Sequence, residues 1–383
     1  QVRLLPETSL RLKPGGVILL SSTQRESAIL ATFLCNLREG VKPPLFMKIP
    51  FCKTTLGEEE KKAICETIDS GWVVLGPKSK EFEERFADYV GGKHAIFVDS
   101  GTAALDLAVK YIKIHRDWKY QTSLQVPSLT FAATAEVIVN NGFKPDFVDT
   151  ETHSLLINQP YLNGIHVHLC GERNKTNAPI YDSAHRIEAD DVANSPSIWC
   201  YSFYATKNMT TCQGGMIVTN YDKEAEWFRS ARDHGLDFGT AERYKGRYKQ
   251  YDIKFVGYRY KGDDLRASIG IEQLKKLPEM TKRRNEIVNK YNEGLLESNT
   301  GNHVYPILVN NRDNFMDYMH DKGIQTTVHF RPLHEMTAYK KYALKGTLPN
   351  TEWTGEHIVS LPLYPDMTPK EVQYVIDAVK EYD

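Results

Sequence analysis

The feature that most constrains the fold is a regular alternation of short apolar runs and helical patterns between His94 and Thr219. Such alternation of strands and helices is typical of a parallel sheet covered by helices. We therefore predict an α/β protein with a mostly parallel central sheet. The extended runs are residues 94–99, 124–126, 145–148, 165–169, 180–182, 198–203 and 216–219.

The 383 residues divide into three predicted parts. Residues 1–45 contain prolines, a glycine pair and one amphipathic helix pattern, which predicts an N-terminal appendage. Residues 46–260 carry the alternation and form the predicted large α/β domain. Residues 261–383 begin with a long helical pattern and then mix helices with extended runs, which predicts a smaller C-terminal α+β domain.

One connection of the large domain is unusually short. The interval between Asp149 and Ile165 has too few residues for a strand-helix-strand crossover of ordinary length. We expect one covering helix to be absent there. The sheet face that such a loss exposes would have to be covered by a partner or by residues 1–45.

Charge and composition exclude several classes of protein. The chain has 48 Lys and Arg against 49 Asp and Glu, and this net charge of −1 disfavours nucleic acid as the main partner. No apolar run approaches the roughly 20 residues that a membrane span needs. The six cysteines show no CxxC spacing, which favours reduced thiols and a cytoplasmic protein over a disulfide framework.

Three local features suit one kind of chemistry. The turn 100–103, Ser-Gly-Thr-Ala, leads into a helix whose N-terminal N–H groups could bind phosphate, although an ordinary N-cap turn is the alternative. Asp182 ends an extended run, where α/β enzymes place their chemistry, although it could merely cap the next segment. Lys207 leaves an apolar run for a glycine-bounded loop, where desolvation can lower a lysine pKa, although most loop lysines are solvated.

Together these features suggest pyridoxal 5′-phosphate (PLP) as cofactor. PLP requires a phosphate cradle, an anion that faces its pyridine nitrogen and a lysine that bonds its aldehyde carbon. The turn 100–103, Asp182 and Lys207 could supply these three contacts in that order.

Blocks along the chain resemble the DegT-type (DegT/DnrJ/StrS) sugar aminotransferases, which are PLP-dependent enzymes of fold type I. Among them are SGTAALDLA, YDSAHRIE, SFYATKN, GYRYKGDDLRASIG and VHFRPLH. The blocks occur in the order of the family and cover residues 45–383. They are residues 71–108, 127–138, 181–188, 202–208, 213–220, 257–274, 328–334 and 360–379.

The resemblance implies a role for each matching residue. Lys207 would bond the cofactor and move the proton, and Asp182 would keep the pyridine nitrogen protonated. Phe131 would stack on the cofactor ring, and His185 would lie near the ring hydroxyl, although it could also be a satisfied buried imidazole. The residues implied in phosphate binding are Thr102, Ala103 and Ser202, and those implied in contacts with the nucleotide or sugar are His329 and His334.

The resemblance further implies an enzyme that transfers an amino group, with glutamate as donor, to the keto group of a nucleotide-linked sugar in amino sugar biosynthesis. The family is homodimeric, with active sites at the subunit interface. A related sugar dehydratase is the alternative within the class, but it carries histidine in place of Lys207. A catalytically silent regulatory member is the other alternative, which the intact Asp182 and Lys207 disfavour.

Two positions depart from the family pattern. Arg259 stands where the family places a residue that reaches the phosphate of the partner chain, and a guanidinium can still bind that phosphate. The alternative is a surface arginine in a basic loop. Gln213 replaces the usual glutamate before the paired glycines. The basic residues of the loop around Arg259 are Lys245, Arg247, Lys249 and Lys254.

Two histidine patterns raise the possibility of a metal site. His166, His168 and Cys170 alternate along one predicted strand and would share a face, but three ligands on one strand crowd a metal. His329 and His334 form an HxxxxH pattern that the resemblance places beside the substrate. We therefore predict no metal.

Overall fold

The computed structural model describes residues 47–115, 122–152, 154–157, 160, 163–237, 251–343 and 346–382. The appendage predicted for residues 1–45 lies outside the described residues. Residues 48–383 group into one compact unit. The division that the sequence predicts at residue 260 stays a prediction.

Two helices precede the sheet, and local sequence marks their ends. α1 spans Glu58–Asp69, with three glutamates in its first turn that interact favourably with the positive helix N-terminus. α2 spans Pro77–Val90 and ends at Gly91. The α2 N-terminus is capped from elsewhere in the chain, because the Asp264 carboxylate accepts backbone N–H groups at 2.8–2.9 Å from Gly76, Lys78 and Ser79.

A mixed, mostly parallel sheet forms the centre, as the sequence predicts. Five strands are ordered β1-β7-β6-β5-β4, and only β7 runs antiparallel to its neighbours. The parallel pair β2-β3 lies beside β4, where Gln125 bridges to Gly164. The elements are β1 His94–Val98, α3 Gly101–His115, β2 Ser123–Pro127, α4 Ala132–Asn140, β3 Lys144–Val148, β4 Ile165–Val167, β5 Ile180–Asp182, β6 Ile198–Ser202 and β7 Gly215–Thr219.

Both faces of the sheet are buried, because alternate residues of β1, β5, β6 and β7 enter two different hydrophobic clusters. In β1, Ile96 packs with residues of α3 on one face, whereas Phe97 packs with α2 on the other. The α2 side contains an aromatic cluster. The ring centroid of Phe82 lies 5.2 Å from that of Phe97, in an edge-on contact, and 5.3 Å from that of Phe203, in a tilted one. Aromatic pairs of this geometry contribute about 0.5–1.5 kcal/mol each beyond area burial.

Two connections on one side of the sheet lack an α-helix. The described residues between Asp149 and Ile165 form no helix, as the short interval predicts. The parallel neighbours β4 and β5 are joined by residues 168–179, which contain only the short 3₁₀ helix Leu169–Gly171. Unlike the first, this second short crossover was not predicted from the sequence.

The connection 168–179 itself covers the face that a crossover helix would normally protect. The His168 ring stacks on Tyr181 at 5.0 Å and contacts Trp199 at 5.0 Å, and all three residues are buried. The backbone N–H of Asn174 donates to Nδ1 of His168 at 2.9 Å, which holds the loop over these rings. This loop therefore covers part of the sheet, whereas the cover that we expected from residues 1–45 or a partner stays a prediction.

The C-terminal part combines one long helix with a small antiparallel pair. Residues 326–330 are one of the extended runs that the sequence predicts after residue 261, but they form no strand, and within them only Thr327 bridges, to Ser360. No helix among the described residues is long and apolar enough to cross a membrane. The elements are α5 Asp222–Ala231, α6 Asp264–Leu295, β8 Tyr305–Leu308, α7 Arg312–Asp321, α8 Pro349–His357, β9 Ile358–Leu361 and α9 Pro369–Tyr382, with β8 pairing β9.

Candidate active site

A cavity of about 370 Å³ lies where the parallel strands β5 and β6 end. This is the edge at which open α/β sheets bind ligands. The cavity brings together seven of the residues predicted from sequence, and three others lie outside its walls. The seven are Thr102, Phe131, Asp182, His185, Ser202, Lys207 and His329, and the three are Ala103, Arg259 and His334.

Lys207 reaches the cavity from the loop that follows β6. Its backbone N–H donates to Tyr204 O at 3.0 Å, and the next side chain, Asn208, donates to Oδ1 of Asn302 at 3.1 Å. Burial lowers the pKa of Lys207 to about 8, although the Asp182 carboxylate acts in the opposite direction. A substantial fraction of Lys207 is therefore neutral near pH 8, as a nucleophilic amine must be.

Asp182 ends β5 with its carboxylate held on both oxygens. Oδ1 accepts the Ala184 N–H at 3.0 Å, and Oδ2 accepts the Thr134 hydroxyl at 2.8 Å. Burial raises the pKa of Asp182, and a cationic group beside it would favour the ionised form. The sequence analysis missed Thr134, which approaches Asp182 only because the first turn of α4 packs against the end of β5.

The turn before α3 forms the wall opposite Asp182. Ser100 Oγ accepts the Ala103 N–H at 3.1 Å, so this donor is used within the turn itself. A Cβ added at Gly101 would lie 2.8 Å from Cβ of Ser202, so the turn and Ser202 are in direct contact. The hydroxyls of Ser100, Thr102 and Ser202 thus meet at a helix N-terminus, an arrangement suited to phosphate.

Aromatic and imidazole rings form the rest of the wall. Phe131 is 60% exposed, and its ring lies 5.8 Å from that of Phe330. His329 contacts Phe51 at 5.5 Å and shares a hydrogen bond of 3.0 Å between its Nδ1 and Ser360 Oγ. Burial lowers the pKa of His329 to about 4, so its ring is neutral at physiological pH. The sequence analysis missed His303, which also lies in the wall.

His334 and Arg259 lie outside the cavity wall. His334 is buried, and its ring nitrogens lie 2.6 Å from Ser128 Oγ and 3.3 Å from Glu352 Oε1. Arg259 is exposed, and its backbone bridges to Asp233. Of the basic loop proposed around Arg259, only Lys254 belongs to the described residues.

The histidine patterns form no metal centre within the described ranges, where no group of three or more His, Cys, Asp and Glu side chains could hold an ion. His166 lies 3.1 Å from Thr176 Oγ1 through Nδ1. Cys170 does not continue β4, as the alternation predicted, because it adopts a left-handed conformation with φ +57° in the 3₁₀ helix.

The cavity fits PLP at each of its reactive ends. In chemical type, the lysine amine matches the aldehyde of PLP, and the carboxylate with hydrogen bonds on both oxygens matches the pyridine nitrogen. The helix N-terminus with its hydroxyl groups matches the phosphate. Bound PLP supplies an electron sink that stabilises negative charge on the carbon next to the transferred nitrogen.

Sheet order and cavity together define a PLP-dependent enzyme of fold type I. A family model described as the DegT/DnrJ/EryC1/StrS aminotransferase family matches residues 54–163 and 180–380. The chain therefore belongs to the DegT/DnrJ/EryC1/StrS aminotransferase family, as the sequence resemblance indicated. The unmatched residues 164–179 comprise β4 and the connection that lacks an α-helix.

Individual relatives agree with this assignment. The uncharacterized protein MJ1066 of Methanocaldococcus jannaschii is 36% identical over 90% of this chain and 98% of its own length. Spr1654 from Streptococcus pneumoniae, in its PLP form, superposes with a TM-score of 0.76, at 25% identity over 88% of this chain and 98% of that one.

A third similar structure is PseC of Helicobacter pylori, with a TM-score of 0.77 at 22% identity over 88% of this chain and 99% of PseC. Spr1654 is also known in a PMP form, the aminated state of the same cofactor. The aminotransferases of this family depend on PLP, which is the cofactor of this chain.

Proposed function

We propose that this enzyme transfers an amino group from glutamate to the keto group of a nucleotide-linked sugar. The observation that carries the proposal is that Lys207 and Asp182 face one cavity in a chain of the aminotransferase family. Among the similar structures, Spr1654 is named as a sugar aminotransferase, and PseC as an aminotransferase involved in the biosynthesis of pseudoaminic acid.

Each residue at the reacting centre has a proposed task. Lys207 bonds the cofactor and, once released, carries the proton between the substrate carbon and the cofactor, because an amine with a pKa of about 8 both accepts and donates protons near neutrality. Asp182 keeps the pyridine nitrogen protonated. Thr134 and the Ala184 N–H orient the carboxylate for that contact.

The remaining proposed contacts concern the cofactor ring and phosphate. Phe131 stacks on the ring, and His185 lies near its hydroxyl. Thr102 and Ser202 hold the phosphate with their hydroxyls, whereas Ala103 contributes to the phosphate site by holding the turn through its N–H bond to Ser100 Oγ. His329 and His334 are proposed to serve the nucleotide or the sugar, His329 from the wall and His334 by holding the loop through Ser128.

We further propose a cytoplasmic homodimer. The described cysteines are all free, which suits a reducing compartment. Arg259 is exposed and does not line the cavity of its own chain, which supports a role toward the phosphate of the partner chain.

The decisive experiment is a substrate screen. Purified holoenzyme and glutamate are incubated with UDP-, dTDP- and GDP-linked 4-keto-6-deoxy sugars, and mass spectrometry detects the amino product. We expect amination of at least one sugar and formation of 2-oxoglutarate. Loss of a sugar hydroxyl without amination would indicate the dehydratase alternative, and an inert protein that binds cofactor would indicate the silent regulator.

A further inference from the structure

His303 lies in the cavity wall, and the sequence assigned it no role. It precedes β8, its side chain is buried, and its ring centroid lies 4.3 Å from that of His185. Neither ring nitrogen has a hydrogen-bond partner in the part of the chain that the structure describes. The imidazole is therefore a polar group that faces the cavity and depends on a ligand for its hydrogen bonds.

The backbone of one residue fixes both histidines. The His303 N–H donates to Cys170 O at 3.1 Å, and the Cys170 N–H donates to Nδ1 of His185 at 3.3 Å. Cys170 is left-handed, a conformation that is unfavourable for a non-glycine residue. The surrounding contacts hold this unfavourable conformation, and through its two hydrogen bonds the Cys170 backbone links His303 to His185.

Close backbone contact fixes the segment 301–303 against the same turn. A Cβ added at Gly171, where φ is +95°, would lie 2.8 Å from the Asn302 nitrogen, and one added at Gly301 would lie 2.5 Å from Cys170 O. The Asn302 side chain accepts from Asn208, the neighbour of Lys207, and donates to Glu188 Oε1 at 2.6 Å. His303 is thus held at a fixed place relative to Lys207.

The hydrogen-bonding state of both rings follows from these contacts. Nδ1 of His185 accepts a hydrogen bond from the Cys170 N–H, so a neutral His185 carries its own proton on Nε2. Burial lowers the pKa values of His185 and His303 well below the usual range, and the nearby Lys207 acts in the same direction. A neutral imidazole offers one donor and one acceptor, which matches a hydroxyl group, whereas carboxylates are bound best by cationic donors.

We propose that His303 contacts the amino acceptor directly, forming hydrogen bonds with a hydroxyl group of the keto-sugar, and contributes little to binding of the amino donor. This proposal rests on the proposed function and adds a residue that distinguishes its two substrates. Glutamate carries carboxylates and no hydroxyl, so it gains little from a neutral imidazole at this place.

The test measures the two half-reactions separately. Wild-type holoenzyme and His303→Phe, which keeps a ring on His185 but removes both nitrogens, are mixed with glutamate alone, and the cofactor absorbance reports the donor half-reaction. The aminated enzyme is then mixed with UDP- or dTDP-linked 4-keto-6-deoxyglucose. We expect about a tenfold or greater loss in the acceptor half-reaction, as for one lost hydrogen bond, with the donor half-reaction within about twofold of wild type.

Binding and control variants complete the test. Calorimetry of the amino-sugar product should show a similar loss of affinity in His303→Phe, with partial recovery in His303→Gln, which restores hydrogen bonding. His168→Phe replaces a buried histidine stacked on Tyr181 outside the cavity, and any effect should be equal in both half-reactions. If His303→Phe does not fold, His303→Met provides the same comparison.

The outcomes separate the two proposals. Equal losses in both half-reactions, or an unchanged acceptor half-reaction in a folded variant, would overturn the role of His303 alone. A wild-type enzyme that accepts the amino group of glutamate but aminates no keto-sugar would overturn the proposed function and, with it, the proposed ligand of His303.

Discussion

At the residue scale, burial favours the neutral form of both titratable groups, Lys207 and Asp182. It lowers the pKa of Lys207 and raises that of Asp182, because the low-dielectric surroundings disfavour charge. The groups differ in how they are held. Asp182 has fixed hydrogen bonds on both oxygens, whereas the Lys207 amine has no hydrogen-bond partner among the described residues.

The pKa of Lys207 predicts how cofactor attachment depends on pH. Only the neutral amine attacks an aldehyde, so the rate at which PLP bonds to the cofactor-free protein should rise with pH and level off above about 8. The product is fixed with borohydride and the modified lysine is located by peptide mapping. Modification of a different lysine would contradict the assignment of Lys207. Lys207→Ala should still bind PLP without covalent attachment, and should lose turnover.

Replacing Asp182 with Asn tests the carboxylate at nearly constant shape. The amide cannot hold the pyridine proton, so we expect kcat to fall by about 100-fold or more, as for loss of a charged catalytic contact, while PLP affinity changes far less. Steady-state kinetics and cofactor titration measure the two effects. A near-normal kcat in Asp182→Asn would rule out the assigned role.

At the element scale, packing supplies what local sequence does not. α2 begins after Gly76, which has no side chain to cap it, and Asp264 at the start of α6 accepts its first N–H groups instead. The side chain of Ser79 also donates to Asp264 at 2.6 Å. The ends of two helices far apart in sequence are therefore joined through one buried carboxylate.

Two adjacent aspartates provide a matched test of this junction. Asp264→Ala leaves several buried donors without an acceptor, and we expect the free energy of unfolding to fall by about 2–4 kcal/mol. Asp263→Ala removes the N-cap of α6, where Asp263 accepts the Arg266 N–H at 2.9 Å, together with a partly exposed ion pair to the same arginine at 3.5 Å, and should cost about 1 kcal/mol. Urea denaturation measures both. Equal losses would show that the α2 cap adds no more to stability than an ordinary N-cap.

At the scale of the whole molecule, one segment near Arg259 exposes several apolar side chains. Tyr251, Ile253 and Val256 are 61%, 53% and 92% exposed, and the segment leads directly to Arg259. Clustered exposed apolar residues are typical of interaction surfaces. This segment supports the proposed homodimer, in which Arg259 reaches the phosphate site of the partner chain.

Complementation between inactive chains tests the shared site. Lys207→Ala and Arg259→Ala are each expected to lose activity, and mixing them should restore part of it, because a heterodimer has one site with both residues intact. Subunit exchange is verified separately by mass spectrometry of tagged chains. Verified exchange without recovered activity would place Arg259 in the site of its own chain or outside any site.

The sequence by itself predicted the strands of the sheet and singled out Asp182 and Lys207, whose roles in the site stay a prediction. Alternating burial, glycine stops and acidic first turns act over a few residues, so β1 to β7 and α1 to α4 could be predicted from spacing. Asp182 could be singled out because it ends a buried strand, and Lys207 because it lies in the loop that follows one. Such positions fix both the burial and the direction of a side chain.

Only the tertiary structure decided which distant residues complete the cavity. Thr134 reaches Asp182, and the His303 ring contacts that of His185, across sequence separations that no local pattern encodes. The ring of His334 lies outside the wall because Ser128 and Glu352 hold it, although its motif pointed to the substrate. Hydrogen bonds and close packing between distant segments fix these positions, and these contacts form only when folding brings the segments together.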